Sequence, residues 1–157
     1  MIDIRPVADD REAHAAATIM ATSEPWITLG RTFDRCLATL HDDALERYVA
    51  VEDGQVIGFV LLTMRGPFPG YIKSIAVRDD QRSRGLGARL MAFAEERIFR
   101  DSPNVFICVS SFNHRAKSFY RRLGYEVVGP LRDFIVRGSD ETLLRKTTGP
   151  LAGFIRR

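Results

Sequence analysis

The chain has 157 residues, 45% hydrophobic and 27% charged, with a net charge of +3 at neutral pH. That is ordinary for a soluble globular protein and long enough for one domain, 1–157, with a real core. It is weak support for a nucleic-acid binder: no basic run is interleaved with aromatics, and a phosphate-bearing small molecule would suit the arginines equally well. The longest apolar run, Val56 to Met64, is too short to span a bilayer, and no membrane partner is expected. The opening "MIDIRPVADD" is acidic where a secretory signal is basic and then apolar, so a cytoplasmic protein is expected. Cys36 and Cys108 match no metal spacing and read as reduced thiols. His14, His41 and His114 are scattered, so no metal is expected.

"IDIRPV" alternates and reads as a strand ending at Pro6. "DDREAHAAATIMATSEP" reads as a helix capped by Asp9 or Asp10, with Pro25 beyond its end. "GRTFDRCLATLHDD" reads as a shorter surface helix with Phe33, Leu37 and Leu40 on one face. "RYVAVEDGQVIGFVLLTM" is a hairpin turning at Asp53-Gly54, and "YIKSIAV" is a fourth strand. "LGARLMAFAEERIF" is an amphipathic helix with Leu86, Leu90, Phe93 and Ala94 as its stripe. "NVFICVS" is an apolar strand. "NHRAKSFYRRLGY" is a helix capped by Asn113 and stopped at Gly124. "YEVVGPL" and "ETLLRKT" finish the sheet with "RDFIVRGSD" between them, and the tail 148–157 has no assignment. The order β-α-α-β-β-β-α-β-α-β-β implies an α/β (α+β) fold, a mixed sheet with helices on its faces.

Between the fourth strand and the helix that follows it lies "RDDQRSRGLG". A strand, a glycine turn and a helix N-terminus together form an anion site, because the first helical amides lack internal partners and glycine lets oxygens approach the backbone. Ala88-Arg89 after Gly87 excludes a P-loop, and Leu90 excludes the dinucleotide fingerprint. A capped helix with a flexible entry is the competing reading of the loop alone.

A second motif, "NHRAKSFYRRLGY", follows some thirty residues later. The pair resembles the GNAT superfamily of acyl-CoA-dependent N-acetyltransferases. Arg82-Ser83-Arg84-Gly85-Leu86-Gly87 matches that family's Gln/Arg-x-x-Gly-x-Gly/Ala. Asn113, Ala116, Phe119, Tyr120, Gly124 and Tyr125 match its Asn-x-x-Ala-x-x-Phe-Tyr-x-x-x-Gly-Phe/Tyr. The resemblance implies a mostly antiparallel sheet of about seven strands, with a parallel, splayed pair near 71–77 and 104–110. It implies acetyl-CoA as cosubstrate, held by Ile75, Ala76 and Val77, by Arg82, Ser83, Arg84, Gly85, Leu86, Gly87 and Ala88, and by Asn113 and Lys117.

The implied activity is direct acetyl transfer to a primary amine of a small molecule or a protein N-terminus. The Val77 amide would polarise the thioester carbonyl, and Tyr120 would be the general acid. By residue type and spacing alone Tyr120 would be a core tyrosine. Many members carry a glutamate on the fourth strand. "YIKSIAV" has none, so Glu24 is the candidate base, with Tyr71 and Ser110 as water holders. Trp26 and Phe68 are candidates for lining the acceptor site. Members of the superfamily often form homodimers. The missing glutamate leaves a non-catalytic acyl-CoA sensor as the alternative.

Overall fold

The computed structural model describes residues 1–157. Its elements are β1 (Asp3–Pro6), α1 (Asp10–Ala21), α2 (Phe33–Leu40), β2 (Glu46–Glu52), β3 (Gln55–Thr63), β4 (Tyr71–Val77), α3 (Leu86–Phe99), β5 (Asn104–Ser110), α4 (His114–Arg122), β6 (Glu126–Val136) and β7 (Ser139–Thr147). This is the order expected from sequence, with one extra 3₁₀ turn at Asp79–Gln81. The strands form one seven-stranded sheet in the order β1-β2-β3-β4-β5-β7-β6. Every neighbouring pair is antiparallel except β4 and β5. No helix is long and apolar enough to cross a membrane.

Local chemistry sets the boundaries. The Asp9 carboxylate accepts from the Glu12 amide at 2.9 Å and starts α1. The Asn113 side chain accepts from the Ala116 amide at 3.2 Å and starts α4. Asp53 and Gly54 both take positive φ, 51° and 73°, as the tight β2–β3 turn demands.

The central strand β3 is buried on both faces, and its alternation divides the core. Val60 and Leu62 pack with Leu86, Leu90 and Met91 of α3. Phe59 and Leu61 pack with Ala16 and Met20 of α1 and with Cys36 and Leu40 of α2. The buried side of α2 is therefore Cys36, Thr39 and Leu40 with Leu37 packed at its margin, and of the expected stripe Phe33, Leu37 and Leu40 only Phe33 turns out exposed. Cys36 is accordingly a core residue rather than a surface one. α1 presents a face of small residues, Ala13, Ala16 and Ala17, and α2 turns a thiol towards it.

The segment "RDFIVRGSD" is not a loop between the last strands. β6 runs on to Val136, and β7 begins at Ser139. A register break between Leu131 and Val136 absorbs the polar residues. Asp133, at φ 50°, donates its amide to Asp140 at 3.1 Å, and its carboxylate accepts from the Gly138 amide at 2.6 Å. Side chains thus close a bulge inside a segment that the sequence places only between the last two strands. The tail is tied at its end, where the Arg157 amide donates to the Arg100 carbonyl at 3.0 Å.

β4 and β5 pair only at Tyr71↔Phe106 and Ile72↔Ile107. Beyond that point β4 follows β3 through Gly58↔Val77, while β5 follows β7 through Ser110↔Glu141. Two parallel strands held by different neighbours diverge, and a wedge opens between them. Its apex is Gly70, whose carbonyl accepts from the Phe106 amide at 2.9 Å. Gly70 sits at φ 94°, and a Cβ there would lie 2.3 Å from the Asn104 carbonyl oxygen. Only glycine fits this junction.

Candidate active site

The wedge widens into a cleft of about 500 Å³. One wall is the backbone of β4. The Arg78 amide donates to the Ile57 carbonyl at 2.9 Å. Antiparallel alternation then turns the N–H and C=O groups of Ile75 and Val77 away from β3 and into the wedge. The end of the cleft is the start of α3. Gly85 stands as its N-cap at φ 78°, without a side-chain cap. The first amide after the loop to bond within the fold is that of Arg89, to the Gly85 carbonyl at 3.1 Å. The amides of Ser83 to Ala88 therefore present a row of donors without protein partners, at the positive end of a helix dipole.

The loop arginines are held by acids. Arg78 pairs with Asp80 at 2.6 Å, Arg82 with Asp79 at 2.9 Å and Arg84 with Glu52 at 3.0 Å. Arg82 still lines the cleft, whereas Arg84 also bonds Gln81 and lies outside it. Lys117 likewise lies apart, in a smaller hollow with Arg121 and Tyr125. Phe68 is 59% exposed and stacks edge-on against Phe106 at 5.4 Å, also outside the cleft. The fold gathers the rest: Ile75, Ala76 and Val77, Ser83 and Gly85 to Ala88, Asn113 and Tyr120, and Glu24, Trp26, Tyr71 and Ser110 all line it.

The cleft passes through the sheet, so its lining divides between two faces. Val105, Ile107 and Val109 of β5 point to the α3–α4 side with Tyr120. Tyr120 is buried and stacks edge-on against Phe119 and Tyr125, at 5.1 and 5.9 Å. Burial alone pushes its phenol well above the usual tyrosine range, so it is protonated at neutral pH.

Residues of opposite parity, Cys108 and Ser110, point to the other side. Glu141 joins them, because it pairs directly with Ser110 across β5–β7. Tyr71 comes from β4, and Trp26 roofs this side by packing against Phe59 at 6.3 Å. Burial raises the Tyr71 phenol, the Cys108 thiol and the Glu141 carboxyl. Glu24 is exposed at the cleft mouth, and its carboxylate accepts from the Thr28 amide at 3.3 Å.

Glu141 carries no site signal in sequence, where it opens "ETLLRKT" and looks like a polar strand end. Only its register against Ser110, set by a strand about thirty residues away, turns it inward. The histidines also gain a neighbour through the fold. His41, at the end of α2, lies 2.6 Å from Asp10 of α1, and His14 lies one turn on at 3.4 Å from that carboxylate. The cluster is exposed and ties the two helices together.

A model of the acetyltransferase (GNAT) family matches residues 12–125. An L-methionine sulfoximine/L-methionine sulfone acetyltransferase of Pseudomonas aeruginosa is 34% identical over 83 residues, 50% of this chain and 48% of that protein. The chain thus spans about half the length of that relative. An uncharacterised N-acetyltransferase of Methanocaldococcus jannaschii is 34% identical over 110 residues, 66% of this chain and 70% of the relative. Among solved structures, the ribosomal-protein-S18-alanine N-acetyltransferase of Escherichia coli superposes with a TM-score of 0.77. It covers 100% of both chains at 16% identity, a likeness of fold.

Proposed function

The chain belongs to the acetyltransferase (GNAT) family, and from that premise we propose that it is an acetyl-CoA-dependent N-acetyltransferase acting on a primary amine. The observation that carries this reading is the row of unpartnered amides from Ser83 to Ala88, opening on the same wedge as Tyr120. The donor set fits a coenzyme A thioester. Backbone donors at a helix N-terminus suit a diphosphate. The Ile75 and Val77 edge of β4 suits an amide-bearing arm that pairs as a strand would. Bound there, the thioester would supply the activated acetyl group.

The chain's own residues would do the rest. The Val77 amide, pointing into the wedge, would polarise the carbonyl where negative charge develops. Tyr120, neutral and at the cleft wall, would give its proton to the leaving sulfur. Asn113 and Ala116 would flank the lower cofactor. The side chains of Arg84, Lys117 and Phe68 drop out of the proposed contacts, because each lies outside the cleft, while the Arg84 amide stays in the row of donors. Trp26, Tyr71 and Ser110 would line the acceptor side. The acceptor class takes its range from the relatives: an amino-acid derivative, as for the Pseudomonas enzyme, or a protein α-amine, as for the Escherichia coli one. The free thiols Cys36 and Cys108 suit a reducing cytoplasm.

Thiol release from acetyl-CoA, followed across L-methionine sulfone, polyamines and alanine-ended peptides, tests the reading. Amine-dependent release is expected with at least one of them. Calorimetry showing no acetyl-CoA binding would remove the proposal.

A further inference from the structure

A buried carboxylate without a counter-ion needs a reason to exist. Glu141 is 3% exposed, and its Oε2 has no hydrogen-bond partner. Ser110 Oγ, across the β5–β7 ladder, is equally buried and unpartnered. Both line the acceptor side of the cleft. No cation is paired with it. Tyr71 from β4 and Cys108 from β5 face it, both neutral at neutral pH, and Leu131 is its apolar partner on β6. Lys73 of β4, Arg82 of the loop, and Arg115 and Arg122 of α4 line the same cleft, and none of them perturbs it. Burial raises its carboxyl above the ordinary range, and the nearby Ser110 hydroxyl offsets this only in part. A buried carboxylate with a purely structural role is ordinarily held by hydrogen bonds from the protein.

We propose that Glu141 is the general base of this site, taking the proton of the acceptor ammonium from the side of the sheet opposite Tyr120. The inference rests on the acetyltransferase reading above and replaces Glu24, which is exposed and already caps the turn through Thr28. An uncompensated buried anion attracts an ammonium group into the wedge. Glu141 then accepts one proton, leaving a neutral amine nitrogen that forms the C–N bond as the C–S bond breaks. Tyr120 protonates the leaving sulfur and recovers its proton from the nitrogen, which thereby loses its second one. The proton on Glu141 returns to solvent. Tyr120 and Glu141 stand on opposite faces of the sheet with the wedge between them.

The test compares wild type with Glu141→Gln and Glu141→Asp. Acetyl-CoA binding by calorimetry should be the same in all three; absence of binding in wild type would instead sink the acetyltransferase reading. With L-methionine sulfone or an alanine-ended peptide as acceptor, Glu141→Gln should lose ~10²–10⁴-fold in kcat/KM at neutral pH. The deficit should shrink in alkali, where the amine is already neutral, and Glu141→Asp should keep part of the rate. An unchanged rate, or a loss equal at every pH, overturns the assignment. A second readout needs no turnover. A carboxyl raised in the fold contributes stability that is present at low pH and lost as pH rises through its folded pKa. Glu141→Gln should therefore melt higher than wild type at neutral pH, with the difference vanishing in acid. No gain in Tm at neutral pH overturns it too.

Discussion

Replacing Tyr120 by Phe removes a hydroxyl whose only perturbation is burial and which bonds to no protein group. The fold should lose little, and acetyl-CoA affinity should hold. Turnover should drop by ~10²-fold or more, since a positioned acid is worth that much. Steady-state kinetics beside calorimetry separates the two effects; equal losses in rate and affinity would return Tyr120 to a packing role. The three loop arginines teach a related lesson. Their number in the sequence suggests a cationic rim, yet each is engaged by Asp79, Asp80 or Glu52. The fixed donors of that loop are its peptide amides, which no residue count reveals.

At the scale of elements, the wedge depends on a strand junction and a helix cap. Gly70→Ala would force a Cβ against the Asn104 carbonyl at positive φ. It should cost about 2–4 kcal/mol, from strain and overpacking together, measured by urea denaturation. The same change should disturb the β4–β5 register and weaken acetyl-CoA binding. Asn113→Ala removes the bond to the Ala116 amide. It should cost about 1 kcal/mol and fray the start of α4, next to the cleft. β6 shows the limits of element reading: a polar, glycine-containing segment persisted as strand because Asp133 and Asp140 closed its bulge.

For the whole molecule, ligand and pH are the levers. Acetyl-CoA at 100 times its dissociation constant should stabilise the native state by about 2.7 kcal/mol, read as a rise in Tm. Acid should act through the pairs that tie helices to the sheet. Glu12 accepts two bonds from Arg5 of β1, at 2.7 and 2.9 Å, and that pairing holds its carboxyl below the usual range. Asp101 is depressed in the same way by Arg97, which also grips Glu46 of β2. A depressed carboxyl contributes stability present above its unfolded pKa, about 4.3 for glutamate, and lost as pH falls through the lower folded value. Tm should therefore fall below about pH 4, and less steeply in Glu12→Gln than in wild type.

The sequence by itself determined the element order, the hairpin at Asp53-Gly54, the cap of α4, and the family, since each rests on residues close together in the chain. Periodicity, capping and turn chemistry are local, and the two motifs each fit within one strand-to-helix or helix-to-strand handover. The tertiary structure alone decided which way α2 faces, that His41 meets Asp10, and that Glu141 turns inward beside Ser110. Those outcomes depend on strand register and on which neighbour holds which strand. A one-residue slip of β7 against β5 would send Glu141 to the opposite face of the sheet.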